Sequence, residues 1–536
     1  MMKRLLTALL ALVLLLGIFP LSAFALDLPA GWWPVWSAYN DSLTAGNEAL
    51  ILEKGDAVVS LYSSVPLNPD TANGLYMVYS TRMKMKIYEK KMDWAKAIDN
   101  TEKLLAVSEY LNNNGNDQRD MITVCKSHLK AVTPFAEVYA VSAVQKNAYT
   151  SKTASKINGA AYGVPYDVNA KNADPIASYY VGLDKESARK YAGIIGNSDD
   201  GKHILLINYN FDNEGDTARS VPKGTYDKNI TDTMQYLATL NSSVLIRIGG
   251  EMNVWTKTVA AADYIKAYDH VAALARKHCP KAELVWAPNF VSAWNVDIND
   301  YYPNDSYVDW VGVSLYYNYT VSNNEDVWLE YAHAGQFADP LICAAELAAV
   351  AEAHKKPMIV TESGTLRNAD NGGRKEAWAA EKVAKQYSTL NMVYPQFKAI
   401  VQFNSVRNGN DYTLSGKVKE AYDAAIKSNP TLNGASSGTW VKLGTFNEKA
   451  DSILIGATGH TYQSSDMKTT YAIDGKAALT TAGSPNHCRL TPSKLSVGAH
   501  RLDVTFDDGK GWTTVKTYTL TYSADKTVKI TEGWNG

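Results

Sequence analysis

The sequence predicts three structured parts in series: an α-helical, repeat-like N-terminal domain, a central (β/α)8 barrel of the TIM type, and a C-terminal immunoglobulin-like β-sandwich. Three observations carry this reading. Between residues 160 and 403, eight short apolar runs rich in β-branched residues alternate with helical stretches, as expected of a parallel sheet covered by helices. Before them the apolar spacing is helical, and after residue 438 it alternates with period two.

In chain order, residues 1–25 read as a signal peptide. Lys3 and Arg4 give a positive start, Leu5 to Phe19 is almost wholly apolar, and Ala23-Phe24-Ala25 offers a small-x-small cleavage site. The mature chain is expected outside the cell, secreted or held at the cell wall, with no membrane span. Residues 26–132 form the helical domain, with amphipathic stretches around Trp32, Trp36 and Tyr39, around Tyr76 and Tyr79, and from Trp94 through Val107. Helix pairs of this size look tetratricopeptide-like. Such a domain is a candidate for binding a cell-wall or protein partner.

Residues 133–430 are assigned to the barrel. Its strands are expected at Ala160–Tyr166, Ile176–Val181, His203–Phe211, Val244–Gly249, Glu283–Ala287, Val308–Leu315, Pro357–Thr361 and Lys398–Phe403. Eight repeats fit a closed barrel, and a doubly wound open sheet is the rival. Residues 431–438, containing Asn433-Gly434-Ala435-Ser436-Ser437-Gly438, read as a linker. Residues 439–536 form the sandwich, expected to act as a spacer rather than a carbohydrate binder.

Composition narrows the function. The 536 residues carry 53 basic and 55 acidic side chains, net −2, so no basic balance points to nucleic acid. Tyr (33) and Trp (13) outnumber Phe (10), a bias towards amphipathic rings suited to sugar faces. Cys125, Cys279, Cys343 and Cys488 show no metal spacing and read as packed thiols or at most one disulfide. The histidines form no ligand cluster and no phosphate-binding glycine loop is present, so neither a metal nor another cofactor is expected.

Catalytic side chains of such barrels stand at the C-terminal ends of strands. Two glutamates meet that rule: Glu251 after the fourth run, in Arg247-Ile248-Gly249-Gly250-Glu251-Met252-Asn253, and Glu362 after the seventh, in Thr361-Glu362-Ser363-Gly364. A carboxylate against an apolar strand needs a partner, and Arg247 serves either as a positive charge beside the site or as a core ion pair. Asn289 ends the fifth strand. Asn253, Trp255 and Trp294 follow strand ends as a binding wall or stacking platform, and Asn208, Asn210 and Asp212 stand at the far end of the cleft.

Four segments resemble glycoside hydrolase family 26, the β-mannanase family among the clan A retaining glycosidases. They are Arg247 to Asn253, Val285-Trp286-Ala287-Pro288-Asn289, Tyr301 to Gly312, and Pro357 to Gly364. The resemblance spans about residues 160–429. It implies double displacement on a β-linked polysaccharide, with Glu362 as nucleophile and Glu251 as acid/base. It also implies a tyrosine after strand six bonded to the nucleophile: Tyr316 by position, with Tyr317 as the alternative. The chain departs from the family in having Gly250 where a histidine is usual and Gln402-Phe403-Asn404, with Arg407 close by, where a stacking tryptophan is expected. Those departures leave a second reading, a barrel that binds glycan without cutting it.

Overall fold

The structure, a computed structural model, describes residues 27–157, 159–165, 174–255, 259–292, 296–318, 338–368, 376–432, 434 and 438–536. The expected signal peptide lies outside the described residues. The described residues up to Leu129 and those from Lys130 onward form separate compact units.

The first unit is built from α1 (Trp32–Ala45), α2 (Glu48–Tyr62), α3 (Pro69–Lys84), α4 (Trp94–Asn113) and α5 (Arg119–Val132), the last running across the boundary. Local chemistry sets the helix starts. The Asn47 side chain accepts from the amides of Ala49 and Leu50, and Asp93 accepts from Lys96. Asn68 and Thr71 form a reciprocal cap with Pro69 at the first turn. Tyr39, Val58, Val78 and Leu104 fill the core. Gly74 lets α2 and α3 close, since a Cβ there would stand 2.2 Å from the Tyr62 ring.

The second unit opens with β1 (Phe135–Ser142). Eight strands then close a parallel barrel: β2 (Ala161–Pro165), β3 (Ile176–Gly182), β4 (Ile204–Asn210), β5 (Ser243–Ile248), β6 (Glu283–Trp286), β7 (Trp310–Tyr317), β8 (Met358–Thr365) and β9 (Phe397–Val401). They follow the eight runs expected from sequence, and β2 pairs with β9 to complete the ring. Ile204, Leu206, Leu245, Val285, Trp310, Ile359 and Val401 belong to one buried cluster inside it. Alternate residues such as Ile246, Val313 and Val360 pack outward. The outer helices include α6 (Asp227–Thr239), α7 (Ala261–His278), α8 (Pro340–His354), α9 (Glu376–Val393) and α10 (Gly416–Ser428). A small hairpin, β10 (Val406–Arg407) and β11 (Asn410–Asp411), follows β9.

Two sheets complete the unit. They use β12 (Thr439–Lys442), β13 (Asn447–Lys449), β14 (Ile453–His460), β15 (Lys468–Ile473), β16 (Lys476–Thr481), β17 (His487–Leu490), β18 (Gly498–Asp507), β19 (Thr513–Tyr522) and β20 (Thr527–Glu532). Their orders are β12-β1-β14-β17 and β13-β20-β19-β18-β15-β16. Val138, Ile455 and Ala457 of one sheet share a core with Leu502, Val504, Phe506 and Leu520 of the other.

The placement of β1 corrects the expected boundaries. Residues 135–142 fall in the stretch assigned to the barrel, yet they pair antiparallel with β12 and β14 in the middle of a sandwich sheet. The barrel is therefore inserted between the first strand of that sheet and the rest. The expected linker is also packed at its start: Thr431 and Leu432 are buried, and the Thr431 carbonyl accepts from the Ala160 amide at 2.7 Å.

Helix α9 joins the two halves. Thirteen of its 18 residues are buried, which one-sided packing on a barrel does not produce. The Lys385 ammonium donates to Asp339 Oδ2 at 2.6 Å, to the Gly459 carbonyl at 2.8 Å and to the Ser465 carbonyl. Met392 packs with Tyr139 and Trp440, and Gly456 makes room, since a Cβ there would meet the Met392 sulfur at 2.5 Å. The sandwich is thus packed directly against the barrel rather than held off it by a flexible linker.

Burial opposes the Asp339 charge, but Lys385 overrides it and holds the carboxyl at about 2, below its ordinary 3.8. Asp339→Ala strands the Lys385 ammonium and is expected to cost about 3–5 kcal/mol in denaturant unfolding at neutral pH. Because the folded value is the lower one, this contribution is full above about pH 4 and fades as pH falls towards 2. The gap between wild type and variant should narrow over that window.

Candidate active site

The polar centre of the barrel grows out of strand parity. On β5, Leu245 points inward, so Arg247 does too, two residues nearer the mouth. Its guanidinium is 2% exposed, which demands partners. Nη1 donates to Asn208 Oδ1 at 3.2 Å and to Glu362 Oε1, and Nη2 donates to Ser314 Oγ at 2.8 Å. Burial disfavours the charge, but the carboxylates of Glu362 and then Glu251 outweigh it and hold the arginine ionised. Asn208 is fixed in turn, donating to Ser178 Oγ at 2.8 Å.

Glu362 lies within β8 rather than after it, as the sequence suggests. The register between β7 and β8 shifts there: Val313 pairs with Val360, but Ser314 pairs with Glu362. Such a bulge re-aims a side chain. Here it turns Glu362 to the interior next to the inward Thr361, which packs beside Gly312. Glu362 Oε2 accepts from the Tyr316 hydroxyl at 2.9 Å. Burial first, and then the Glu362 charge, push the Tyr316 phenol well above 10, so it stays a donor. The same two causes raise the buried Tyr180 phenol beside it.

Glu251 is held differently. Its φ of +61° is left-handed, an uncommon conformation for a residue with a Cβ and one that marks functional turns. The turn is fixed by its amide, which donates to the Ala287 carbonyl at 2.9 Å. Asn289 Nδ2 donates to Glu251 Oε1 at 2.9 Å. Asn253 holds the Asn289 backbone from both sides, accepting from its amide and donating to its carbonyl at 2.8 Å each. Gly250 sits over Arg247: a Cβ there would lie 2.2 Å from Nε.

Glu251 and Glu362 line one cavity of about 330 Å³ with Asn289, Tyr316, Phe403, Arg407, Asn408, Asn410 and Tyr412. Tyr316, Phe403 and Tyr412 meet edge to face there. Of the sequence-predicted residues, Glu251, Glu362, Asn289, Tyr316 and Phe403 are brought together, with Arg247 beneath them. Others are not. Tyr317 points outward, 1% exposed, and donates to Gln386 of α9 at 2.9 Å. Asn253 is buried as a brace rather than a binding wall. Trp255 packs on Phe211 and Tyr264 with its Nε1 on the Gly250 carbonyl, and it is not among the residues that line the cavity. Asn208 is buried beneath Arg247, and Asp212 pairs with Lys185 at 2.8 Å. Trp294 lies outside the described residues.

Sequence reasoning missed Tyr180, Ser314 and most of the β10–β11 hairpin. The hairpin had a signal: Asn408-Gly409, with φ of +52° and +80°, is the residue pair that tight two-residue hairpins prefer.

No family model and no curated protein matches the chain. Among solved structures it is similar to the endo-β-1,4-mannanase of Thermotoga petrophila, with 9% identity, 68% of this chain and 98% of that one covered, and a TM-score of 0.39. It is also similar to the catalytic domain of a family 26 endo-β-1,4-mannanase from Bacillus sp. JAMB-750, with 14% identity, 53% and 91% covered, and a TM-score of 0.37. The family 26 β-mannanase of Bacteroides ovatus gives 14%, 53%, 92% and 0.37 in the same order. At these values the likeness assigns no role to any residue; the site's geometry must do that.

Gly250→Ala should push the guanidinium of Arg247 off its partners, lowering stability by about 1–3 kcal/mol in thermal unfolding. Gly193→Ala, where a Cβ meets nothing within 4 Å, should unfold like wild type.

Proposed function

We propose that the chain is a retaining glycoside hydrolase that cuts a β-linked polysaccharide, β-mannan or a related glycan, by double displacement. The supporting observation is that two carboxylates with different donor sets, from strands separated by two others, line one sugar-sized cavity. Glu362, gripped by Arg247 and Tyr316, is the nucleophile. Its oxygen attacks the anomeric carbon and forms a glycosyl ester while the glycosidic bond breaks. Glu251, braced only by the neutral Asn289 amide among these contacts, protonates the departing oxygen and then takes a proton from the water that cleaves the ester. The apolar start of the chain fits export, and no helix among the described residues is long and apolar enough to cross a membrane.

Reducing-end release from β-mannan, β-glucan and xylan tests this reading. Wild type should cut at least one, and Glu251→Ala should lose about 10²–10⁴-fold in kcat, the span of general acid–base catalysis. Glu362→Ala should lose at least as much. Equal cleavage by all three proteins would remove the assignment. Binding without cleavage by wild type would favour a glycan-binding scaffold.

A further inference from the structure

Part of the cavity lining comes from the β10–β11 hairpin and the residue after it, which contribute Arg407, Asn408, Asn410 and Tyr412. It is a prepared surface. Asn368 donates to the Gly409 carbonyl at 2.7 Å and accepts from the Asp411 amide at 3.0 Å. Arg367 donates to Asp411 Oδ2 at 2.9 Å, so the hairpin's own carboxylate is already engaged by a cation outside it. Glu362 is matched by Arg247 beneath the floor. Arg407 is exposed at the same cavity, and among the described residues its guanidinium has neither an ion-pair nor a hydrogen-bond partner, with Glu251 included among the carboxylates it does not reach.

Neutral sugars do not require such a group, because amides and carboxylates already satisfy hydroxyls. A carboxylated sugar does. Glu251 and Glu362 repel an incoming carboxylate, and a guanidinium lining the same cavity offsets that repulsion and offers two parallel N–H donors to both of its oxygens. Asn408 and Asn410 flank it with amides, while Phe403 and Tyr412 supply the apolar surface on which a pyranose ring rests.

We propose that the hairpin forms a subsite for a uronic acid residue, with Arg407 binding its carboxylate, so that the glycan recognised is an acidic β-linked one. This deepens the glycosidase reading and rests on that cavity being the sugar site.

The test is calorimetric binding to Glu362→Gln protein, which separates recognition from turnover. The probes are a β-linked oligosaccharide bearing glucuronate and its neutral counterpart of equal length. The acidic one should bind more tightly, and the preference should shrink as salt rises. Adding Arg407→Gln should reduce the acidic-to-neutral affinity ratio about tenfold, equivalent to ~1.4 kcal/mol. Arg407→Lys should recover part of that ratio, because charge returns without the fork. An unchanged ratio in Arg407→Gln, or tighter binding of the neutral probe by the parent, overturns the subsite. Hydrolysis by wild type is scored separately: acidic binding without cleavage removes the hydrolase and leaves the subsite standing.

Discussion

The arginine at the barrel axis constrains everything around it. A guanidinium this deeply buried is costly without partners; its two terminal nitrogens are matched while Nε stays unpaired, and each match fixes a residue on a different strand: Asn208 on β4, Ser314 on β7 and Glu362 on β8. The same bulk excludes any side chain above it, which accounts for Gly250. The departure at Gly250 from what the family resemblance implies thus has a local steric cause. A histidine there has nowhere to put its Cβ while Arg247 keeps this position.

The two carboxylates of the cavity differ in what surrounds them rather than in what they are. Glu362 faces a fixed cation and a phenol that burial keeps protonated. Glu251 faces the Asn289 carboxamide, whose oxygen accepts from the Val291 amide and whose backbone is held by Asn253. Donors of opposite strength on chemically identical groups are how one pocket assigns them different tasks. The left-handed backbone at Glu251 adds position to this: the sharp turn after β5 lifts its carboxylate to the rim, whereas the β8 bulge keeps Glu362 low.

The barrel was legible because parallel strands buried on both faces leave near-continuous apolar runs, and the glutamates because they break such runs. Two errors have physical causes. Strand β1 pairs with residues 297 to 325 positions away, and a single amphipathic strand carries no mark of its partner. Tyr317 was undecided although parity decides it: Gly312, Ser314 and Tyr316 face inward, so Val313, Leu315 and Tyr317 face the helices. Parity alone fails on β8, where the bulge places Glu362 on the same side as Thr361. A bulge depends on the neighbouring strand and leaves little trace in one sequence.

The sandwich bears on the site through α9. Lys385 and Gln386 are neighbours on that helix. The first reaches Asp339 and the sandwich carbonyls of Gly459 and Ser465. The second accepts from Tyr317 and donates at 2.9 Å to Ser363 Oγ, whose residue follows Glu362 in the chain. Ser363 also ties β8 to β9 through the Val401 carbonyl at 2.9 Å. The strand that bears the proposed nucleophile therefore rests on a helix whose opposite side is sealed by the sandwich. A linker-tethered accessory module leaves its barrel complete without it; this one supplies part of the packing that holds Glu362 in register. That is a physical reason for the barrel to be inserted within the sandwich rather than strung beside it.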